Sequence, residues 1–343
     1  MMFFNKLFYR LLKLNNVLVF VASALLIAVC SMLIYLIEPE TFEHPFNGFW
    51  WVMTTVTTVG YGDYYPHTVA GKFVGIFLYI FGIGLISIVI SKVIDAIVVY
   101  KRLKEEGKLT YKGENHFVII DWSKEADLAA QEIMKSNPAA DIVLIDRLEK
   151  SPAEHERIHY VQGNPVNKET LDKANLEKAK AVFIFANETT EFGNYIRDNS
   201  FVDGKTLLIA TSIERFYKHV YTIVEIKDKN NIDNFKHANV DEFLLGSEMI
   251  SQLAVRSAIN PGASKIFSQL LTHQYGEDLF EITAKPHWST YRDAFTELLQ
   301  QGATLISDGE KMDINRRLDE TIAPSARLFV ICDKMTYAKL KTF

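Results

Sequence analysis

The sequence predicts a chain of two unlike parts. The first is a membrane α-helical unit of two transmembrane helices with a short helix between them, and the second is a Rossmann-like α/β lobe followed by a small α+β lobe. Two apolar stretches near the N-terminal end of the 343 residues are each long enough to cross a bilayer. Beyond them, short apolar runs alternate with helical patterns, which indicates a parallel sheet.

Charge and cysteine content exclude several classes of protein. A net charge of -5, from 37 basic and 42 acidic residues, gives a nucleic-acid partner no electrostatic support. The cysteines are Cys30, in a predicted span, and Cys332, in a predicted buried strand. This usage excludes a disulfide framework and a cysteine zinc site, and it fits a reduced cytoplasmic domain.

The N-terminal residues 1–16 predict an interfacial amphipathic helix on the cytoplasmic face of a membrane. Lys6, Arg10 and Lys13 recur there at near-helical spacing among aromatic and aliphatic residues, with no acidic residue. Residues 17–37 carry no charge and predict the first transmembrane helix. A cleaved signal peptide is the alternative, but the apolar run is too long and lacks a small-residue cleavage site.

The second predicted span covers residues 71–100 and is followed directly by basic residues. Because basic residues flank the outer ends of both spans, both termini are expected in the cytoplasm. The acidic residues between the spans then face outward. We expect solvated surface charge for Glu38, Glu40 and Glu43, and a functional position for Asp63.

The loop between the spans contains the motif Thr58-Val59-Gly60-Tyr61-Gly62-Asp63. This motif resembles the selectivity filter of potassium channels, where backbone carbonyl oxygens from four subunits replace the water shell of potassium ions. Glycine suits two of these positions because it takes the positive φ values that let successive carbonyls point along one axis. Residues 46–57 are too short to span a membrane and predict a re-entrant pore helix. The resemblance implies potassium ions in the filter and a homotetramer.

Trp50 and Trp51 lie on this predicted pore helix. We expect them to support the filter, with indole N–H groups that reach a ring hydroxyl such as that of Tyr61. The alternative is a pair of interfacial anchors in the aromatic belt of the membrane.

The second span carries the candidate gating residues. Gly82 and Gly84 predict a gating hinge, with close helix packing through small residues as the alternative. Ser87 is expected to follow on the cavity side. Asp95 predicts a ring of carboxylates at the inner mouth, and pairing with Lys92 is an equally open alternative.

The cytoplasmic part predicts a doubly wound sheet. Strands are expected at residues 116–121, 141–146, 159–161, 181–185, 221–225 and 242–245, and the first helix at 124–136. Two further helices are expected at residues 248–260 and 263–271, before a small α+β lobe that begins near residue 276.

Two spans, one filter motif and a long Rossmann-like domain together resemble the prokaryotic two-transmembrane potassium channels with a C-terminal RCK (TrkA-N/TrkA-C-like) domain, the MthK/YugO type. The resemblance covers nearly the whole chain. It implies an interfacial helix (1–16), a pore domain (17–100), a linker (101–115), an RCK N-lobe (116–246), crossover and dimerisation helices (247–274) and an RCK C-lobe (275–343).

A Rossmann-like lobe is also compatible with an alternative function. The chain would then be a nucleotide-binding regulatory or NAD-dependent enzyme-like domain fused to a membrane anchor. The glycine fingerprint of such domains is missing, because Asp121, Ser123 and Ala126 occupy its positions. An aspartate there would repel a pyrophosphate, and Ser123 is better explained as a helix N-cap. Asp146 stands where such folds bind a ribose hydroxyl, with a solvated turn residue as the alternative. These three polar residues remain the candidates for binding ADP, ATP or NAD.

In the calcium-gated members, the resemblance implies a site with two carboxylates two residues apart on one strand. Glu225 matches the first, but Lys227 occupies the second position, and an ammonium cannot ligate a hard cation. Calcium gating through this site is therefore not expected. Glu225 is kept as a candidate metal ligand.

Together these patterns predict a potassium-selective channel, not an enzyme, in the inner (plasma) membrane of a prokaryote. A regulatory nucleotide or divalent cation would open the tetrameric pore by expanding a cytoplasmic RCK ring. The related channels complete an octameric ring with soluble copies that start at an internal methionine. No methionine lies between Met53 and Met134, so that route is not expected here. No arginine-rich voltage sensor precedes the pore.

Overall fold

The structure is a computed structural model that describes residues 16–190, 193–272 and 276–341. The interfacial helix predicted for residues 1–16 lies, except for residue 16, outside the described residues. The chain forms two compact units, of which one ends at Leu103 and the other begins at Lys104.

The membrane unit is built on two apolar helical segments joined by a pore loop. Val17–Ile37 and Val69–Glu105 are long and apolar enough to cross a membrane, which confirms the two predicted spans. A π-helical turn, Leu78–Gly82, interrupts the second segment. The helices are α1 (Asn16–Ile37), α2 (Pro39–Phe42), α3 (Pro45–Val56), α4 (Val69–Phe77) and α5 (Ile83–Glu105).

Helix α3 is held close against α1 by a buried apolar cluster. Trp51, Val52 and Val56 from α3 pack there with side chains of α1. A Cβ atom at Gly48 would lie 2.6 Å from the carbonyl oxygen of Ser31, so only glycine allows this approach. Each fully buried aliphatic side chain contributes roughly 1.5–3 kcal/mol. The short helix is therefore a firm support for the loop that follows it.

The second unit begins with a six-stranded parallel sheet in the order β3-β2-β1-β4-β5-β6. Val118 of the first strand lies opposite Val143 on one side and Val182 on the other. The second strand is buried at every position, as expected for a strand covered on both faces. The strands are β1 (Phe117–Ile120), β2 (Ile142–Asp146), β3 (Ile158–Gln162), β4 (Ala181–Ile184), β5 (Tyr221–Glu225) and β6 (Glu242–Leu244).

Helices cover both faces of this sheet, which confirms the Rossmann-like fold class. They are α6 (Lys124–Ser136), α7 (Lys168–Lys173) and α8 (Asn199–Phe216). The strand order reverses direction between β1 and β4. In doubly wound sheets a crevice opens at that point, outside the carboxyl ends of the strands.

Two helices connect this lobe to a small α+β lobe. They are α9 (Gly246–Ile259) and α10 (Ala263–Leu270), close to the predicted bounds. The small lobe has an antiparallel sheet in the order β7-β9-β8. Its elements are β7 (Asp278–Thr283), α11 (Tyr291–Gln300), β8 (Thr304–Asp308), β9 (Arg327–Cys332) and α12 (Lys334–Lys341).

Candidate functional site

The loop after α3 turns its backbone amides toward that helix. The N–H groups of Val59 and Gly60 both donate to the carbonyl oxygen of Thr54, over 2.8 and 3.0 Å. In a trans peptide the C=O and N–H groups point in opposite directions. The carbonyl oxygens of Thr58 and Val59, which belong to the same two peptide groups, therefore point away from the pore helix. This is the arrangement that a ring of carbonyl ligands requires.

Left-handed backbone recurs along the filter loop. The φ angles are +64° at Thr58, +54° at Gly60 and +76° at Gly62. A Cβ at either glycine would meet no heavy atom within 4 Å in this chain. Glycine is therefore favoured at both positions by backbone conformation, since side chains disfavour positive φ by about 1–2 kcal/mol per residue.

Trp50 braces the filter through two contacts. Its indole N–H donates to Oδ2 of Asp63 over 2.8 Å, and its ring stacks on that of Tyr61 with 5.8 Å between centroids. Within one chain the indole donor thus reaches Asp63, not the expected tyrosine hydroxyl. Trp51 is buried against Phe42, so this second tryptophan is not an interfacial anchor.

The outward-facing side chains of the filter are uncovered in a single chain. Val59 is 54% exposed and Tyr61 is 68% exposed. Large apolar and aromatic side chains at membrane depth are normally covered by lipid or by protein.

The second candidate site is a cleft of about 570 Å³ at the carboxyl ends of the parallel strands. It lies at the point where the strand order reverses, which is the usual ligand position in such sheets. Residues that follow β1, β2, β3 and β4 line it together with one face of α8. The charged side chains of the lining are Asp121, Asp146, Arg147, Glu149 and Lys205.

Asp121 occupies the turn after β1 in a left-handed conformation, with φ of +65°. The residue as a whole is 8% exposed. Burial, followed by the neighbouring charge of Asp146, raises the pKa of Asp121 to about 6. Lys205 and Arg147 act in the opposite direction but do not cancel these effects. The structure thus places a carboxyl group of raised pKa at the position where the fold usually has glycine.

Asp146 is used to hold the turn after β1. Its Oδ2 accepts the N–H of Trp122 over 2.7 Å, and its Oδ1 accepts the N–H of Leu148 over 3.1 Å. Asp146 is buried and lines the cleft, so it is not a solvated turn residue. Ser123 accepts the N–H of Ala126 over 3.2 Å, as expected for an N-cap of α6, and it does not line the cleft.

Two family models match this chain. A model described as an ion channel matches residues 18–99, which include the filter loop. A model of the calcium-activated potassium channel slowpoke-like RCK domain matches residues 134–224, which include β2, β3 and β4. The protein is a potassium channel with an RCK regulatory domain. The channel is not an enzyme, since the relatives that it matches are named as potassium channels.

Curated relatives agree with this identification. The putative potassium channel protein YugO of Bacillus subtilis is 27% identical over 289 residues, which are 83% of this chain and 86% of that protein. The calcium-gated potassium channel TvoK of Thermoplasma volcanium is 28% identical over 273 residues, 78% of this chain and 76% of that protein.

One solved structure, a gating ring, shows the same fold at low identity. The match to the human SLO3 gating ring covers 66% of the channel and 46% of the gating-ring chain, with 12% identity and a TM-score of 0.50. The match to the GsuK channel bound to NAD covers 95% of the present chain and 59% of the GsuK chain, with 13% identity and a TM-score of 0.46. The channel therefore spans less than two thirds of the length of these solved chains.

The candidate gating residues of the second span differ in their surroundings. Gly82 ends the π-helical turn, and a Cβ there would lie 2.7 Å from Cγ1 of Val56, so this glycine packs closely against α3. Gly84 has nothing within 4 Å of an added Cβ. Ser87 donates to the carbonyl oxygen of Ile83 over 2.8 Å. Asp95 is exposed and, within the described residues, makes no ion pair with Lys92.

Glu225 is paired with a lysine. Its Oε1 lies 2.8 Å from Nζ of Lys227, and its Oε2 accepts the N–H of Ala186 over 3.0 Å. Lys227 also lies 3.2 Å from Oε1 of Glu188. No group of three or more His, Cys, Asp or Glu side chains suited to a metal ion occurs among the described residues. The geometry therefore does not support Glu225 as a metal ligand.

The segment after the second span is bound to the cytoplasmic lobe. The helix ends at Glu105, and Gly107 has a φ of +62°, so the helix does not continue through Gly107. Gln162 donates its N–H to the carbonyl of Gly107 over 3.0 Å, and Tyr111 donates its N–H to Lys173 over 2.8 Å. This linker is packed on its own unit.

Glu38 was expected to be a solvated surface charge, and that expectation is wrong. Glu38 is 4% exposed and accepts hydrogen bonds from the N–H groups of His67 and Thr68 and from the Thr68 hydroxyl, over 2.7–2.9 Å. Burial acts to raise the pKa of Glu38, but these hydrogen bonds outweigh it and lower the pKa. Its place directly after an apolar span was the available sequence signal.

Proposed function

We propose that the channel is a homotetramer whose pore selects potassium ions and opens when a ligand binds its cytoplasmic RCK domain. The observation that carries this proposal is the backbone of the filter loop. The N–H groups of Val59 and Gly60 converge on Thr54, which leaves the carbonyls of the same peptides free to face an ion.

The uncovered filter supports a fourfold assembly. A filter of this sequence needs one loop from each of four subunits, and each chain has one such loop. The exposed faces of Val59 and Tyr61 are the surfaces that neighbouring copies would cover. Exposed apolar side chains on α9 would meet a second copy in a cytoplasmic ring. They are Met249, Ile250, Val255 and Ile259.

The second span supports gating by the lobe. The helical segment Val69–Glu105 leads into a linker that is hydrogen-bonded to the cytoplasmic sheet. Movement of the lobe would therefore pull on the span. We place the hinge at Gly82 and Gly84, beside the π-helical turn, because such turns often mark functional bends. Ser87 and Asp95 would line the cavity and the inner mouth.

The cleft supports a small-molecule ligand. Its volume of about 570 Å³ lies within the range of small-molecule pockets. A ligand shifts a closed pore to an open one only by its differential affinity, and a change from 1:99 to 99:1 needs about 5.5 kcal/mol. Ligands bound in the repeated clefts of a ring would together supply this free energy. A regulatory nucleotide is our first candidate, and a divalent cation is the second, since the relative TvoK is named as calcium-gated.

We further propose a prokaryotic plasma membrane as the location, with both termini in the cytoplasm. The basic residues that follow Tyr100 support this orientation.

The test is flux through vesicles that contain the purified protein, with separate additions of Ca²⁺, Mg²⁺, Na⁺, ADP, ATP, NAD and NADH inside or outside. We expect one addition on the cytoplasmic side to raise potassium flux, and a detergent-solubilised mass of four chains. Potassium flux that does not change with any addition would contradict ligand gating. A monomeric mass would contradict the homotetramer.

A further inference from the structure

The linker after the second span is hydrogen-bonded to β3, the edge strand of the parallel sheet, and one of these bonds is made by a histidine. Nε2 of His159 on β3 lies 3.0 Å from the carbonyl oxygen of Leu109. A carbonyl oxygen only accepts hydrogen bonds, so this Nε2 carries a proton and donates it. The linker is therefore fastened to the sheet by an imidazole, the side-chain group that titrates nearest to neutral pH.

A second histidine lies directly before β1. His116 is fully buried, and its Nε2 donates to the carbonyl oxygen of Ala174 over 2.9 Å. Its Nδ1 is also buried and has no hydrogen-bond partner within the described part of the chain. Such an atom calls for an explanation. A proton on Nδ1 would create a buried, charged donor without an acceptor, so the folded site favours the neutral ring.

Tyr111 of the linker contacts both histidines. The centroid of its ring lies 4.6 Å from that of His116 and 5.4 Å from that of His159. Its hydroxyl donates to Oδ2 of Asp141 over 2.8 Å, and its N–H donates to the carbonyl oxygen of Lys173 over 2.8 Å. A charge on either imidazole would therefore act directly on the contacts between the linker and the lobe.

The surroundings keep both rings neutral. Burial lowers the pKa of His116 and of His159, and the carbonyl hydrogen bonds and the carboxylate of Asp141 oppose it only in part. A charge on His159 lowers the pKa of His116 further. The titratable and charged groups on the neighbouring elements are Lys104 of α5, Tyr111 and Glu114 of the linker, Asp141 before β2, Lys173 of α7, and Lys178.

We propose that His116 and His159 form a proton-operated clasp: the neutral rings hold the linker on the lobe, and protonation of the rings releases it. Release exposes both imidazoles to water, where histidine takes up a proton near pH 6.5. The bound rings take up protons only at lower pH, so the released state binds more protons. Acidification below about pH 6.5 therefore favours release. Release would uncouple the second span from the lobe, a consequence that rests on the proposed gating.

The test is hydrogen exchange of the full-length protein in detergent at pH 7.5 and pH 5.5, read by mass spectrometry and corrected for the intrinsic exchange rate. In the wild type, protection of residues 107–115 should fall at least tenfold at pH 5.5, while protection of β2 stays unchanged. Glutamine keeps an N–H donor but does not titrate, so the double variant His116→Gln/His159→Gln should show less than a twofold fall. His159→Gln alone should show a fall at least threefold smaller than that of the wild type.

His219→Gln is the matched control. Nε2 of His219 also lies 2.9 Å from a carbonyl oxygen, that of Glu177, but this bond does not involve the linker. Linker protection in this variant should respond to pH as it does in the wild type. Equal linker protection of the wild type at the two pH values would overturn the proposal, as would a fall of wild-type size in folded His159→Gln.

Potassium flux through vesicles, with the same two pH values on the cytoplasmic side, separates this proposal from the proposed function. A fall in linker protection with no change in flux would overturn the proposed gating by the lobe alone. A change in flux with constant linker protection would overturn the proposed clasp alone.

Discussion

The filter loop and the cytoplasmic cleft differ in how much of each site one chain supplies. The filter residues Val59 and Tyr61 are more than half exposed, and the working groups are backbone carbonyls that need copies from other chains. The cleft is lined by residues after four strands and by α8 of the same chain, and its Asp121 and Asp146 are buried. In the proposed function, ion selection is thus a property of the assembly, while ligand recognition is a property of the chain.

The two sites also differ in which atoms do the chemistry. Backbone carbonyls are common to all residues, so the filter requires a conformation, and a short motif with glycines is enough to specify it. In the proposed function the cleft binds its ligand through side chains, so one substitution in the same fold would change what it binds. Asp121 at a usual glycine position is such a substitution.

The largest expected effect is loss of conduction in Gly60→Ala. The φ of +54° at Gly60 disfavours alanine, and a rotated peptide would turn a carbonyl away from the ion path. Vesicle flux should fall below detection while the assembly mass stays unchanged. Gly204→Ala is the matched control, because Gly204 lies on α8 with nothing within 4 Å of an added Cβ. A conducting Gly60→Ala protein would contradict the account of the filter.

The next effect is a gain in stability in Asp121→Asn. The pKa of Asp121 is about 6 in the folded chain against a reference value of 3.8, so the folded state holds more protons between these pH values. The ionised carboxylate therefore costs stability above pH 6, and the cost fades as the pH falls toward 3.8.

Replacing Asp121 by asparagine should raise the free energy of unfolding at pH 7.5 by up to about 3 kcal/mol, and by little near pH 4. Thermal unfolding followed by circular dichroism at both pH values measures the difference. A gain of equal size at the two pH values would show that charge is not its cause.

A smaller loss is expected in Glu38→Gln. The amide keeps one acceptor but turns a donor toward the N–H groups of His67 and Thr68. Leaving buried groups unpaired in this way costs about 1–3 kcal/mol. The melting temperature of the purified protein should fall, and Glu40→Gln, at an exposed position, should not change it. Equal melting temperatures for the two variants would show that Glu38 is only a surface charge.

The smallest expected effect is that of Trp50→Phe. Phenylalanine keeps an aromatic ring against Tyr61 but loses the hydrogen bond to Asp63, worth about 1 kcal/mol. Potassium flux should decay faster after activation, since the filter loop is less firmly held. Asp63→Asn retains an acceptor for the indole N–H, so potassium flux through this variant should decay more slowly than flux through Trp50→Phe. The reverse order would show that the indole donor is not what matters.

The sequence predicted the elements that depend on local patterns. Apolar length marked both spans, and short apolar runs marked the six strands within one or two residues of their observed bounds. Ser123 was recognised as an N-cap because capping is set by a residue and its next few neighbours. The family resemblance was carried by the filter motif, which is continuous in the chain.

Contacts between distant residues were not predictable in the same way. Glu38 meets groups 29 and 30 positions further along the chain, so its burial depends on how the pore loop returns to the first span. The same holds for the linker, because the residues that hydrogen-bond to it, Gln162 and Lys173, lie far along the chain. The partner of Lys205 lies on another element, so no local pattern pointed to this cation in the cleft.

The central claim is that the loop Thr58 to Gly62 selects potassium in an assembly of four chains. The most direct measurement is the flux of potassium and of sodium through vesicles that contain the purified wild-type protein, under equal gradients and with the same activating addition. The account predicts potassium flux with sodium flux at the level of empty vesicles. Comparable sodium and potassium flux would contradict it.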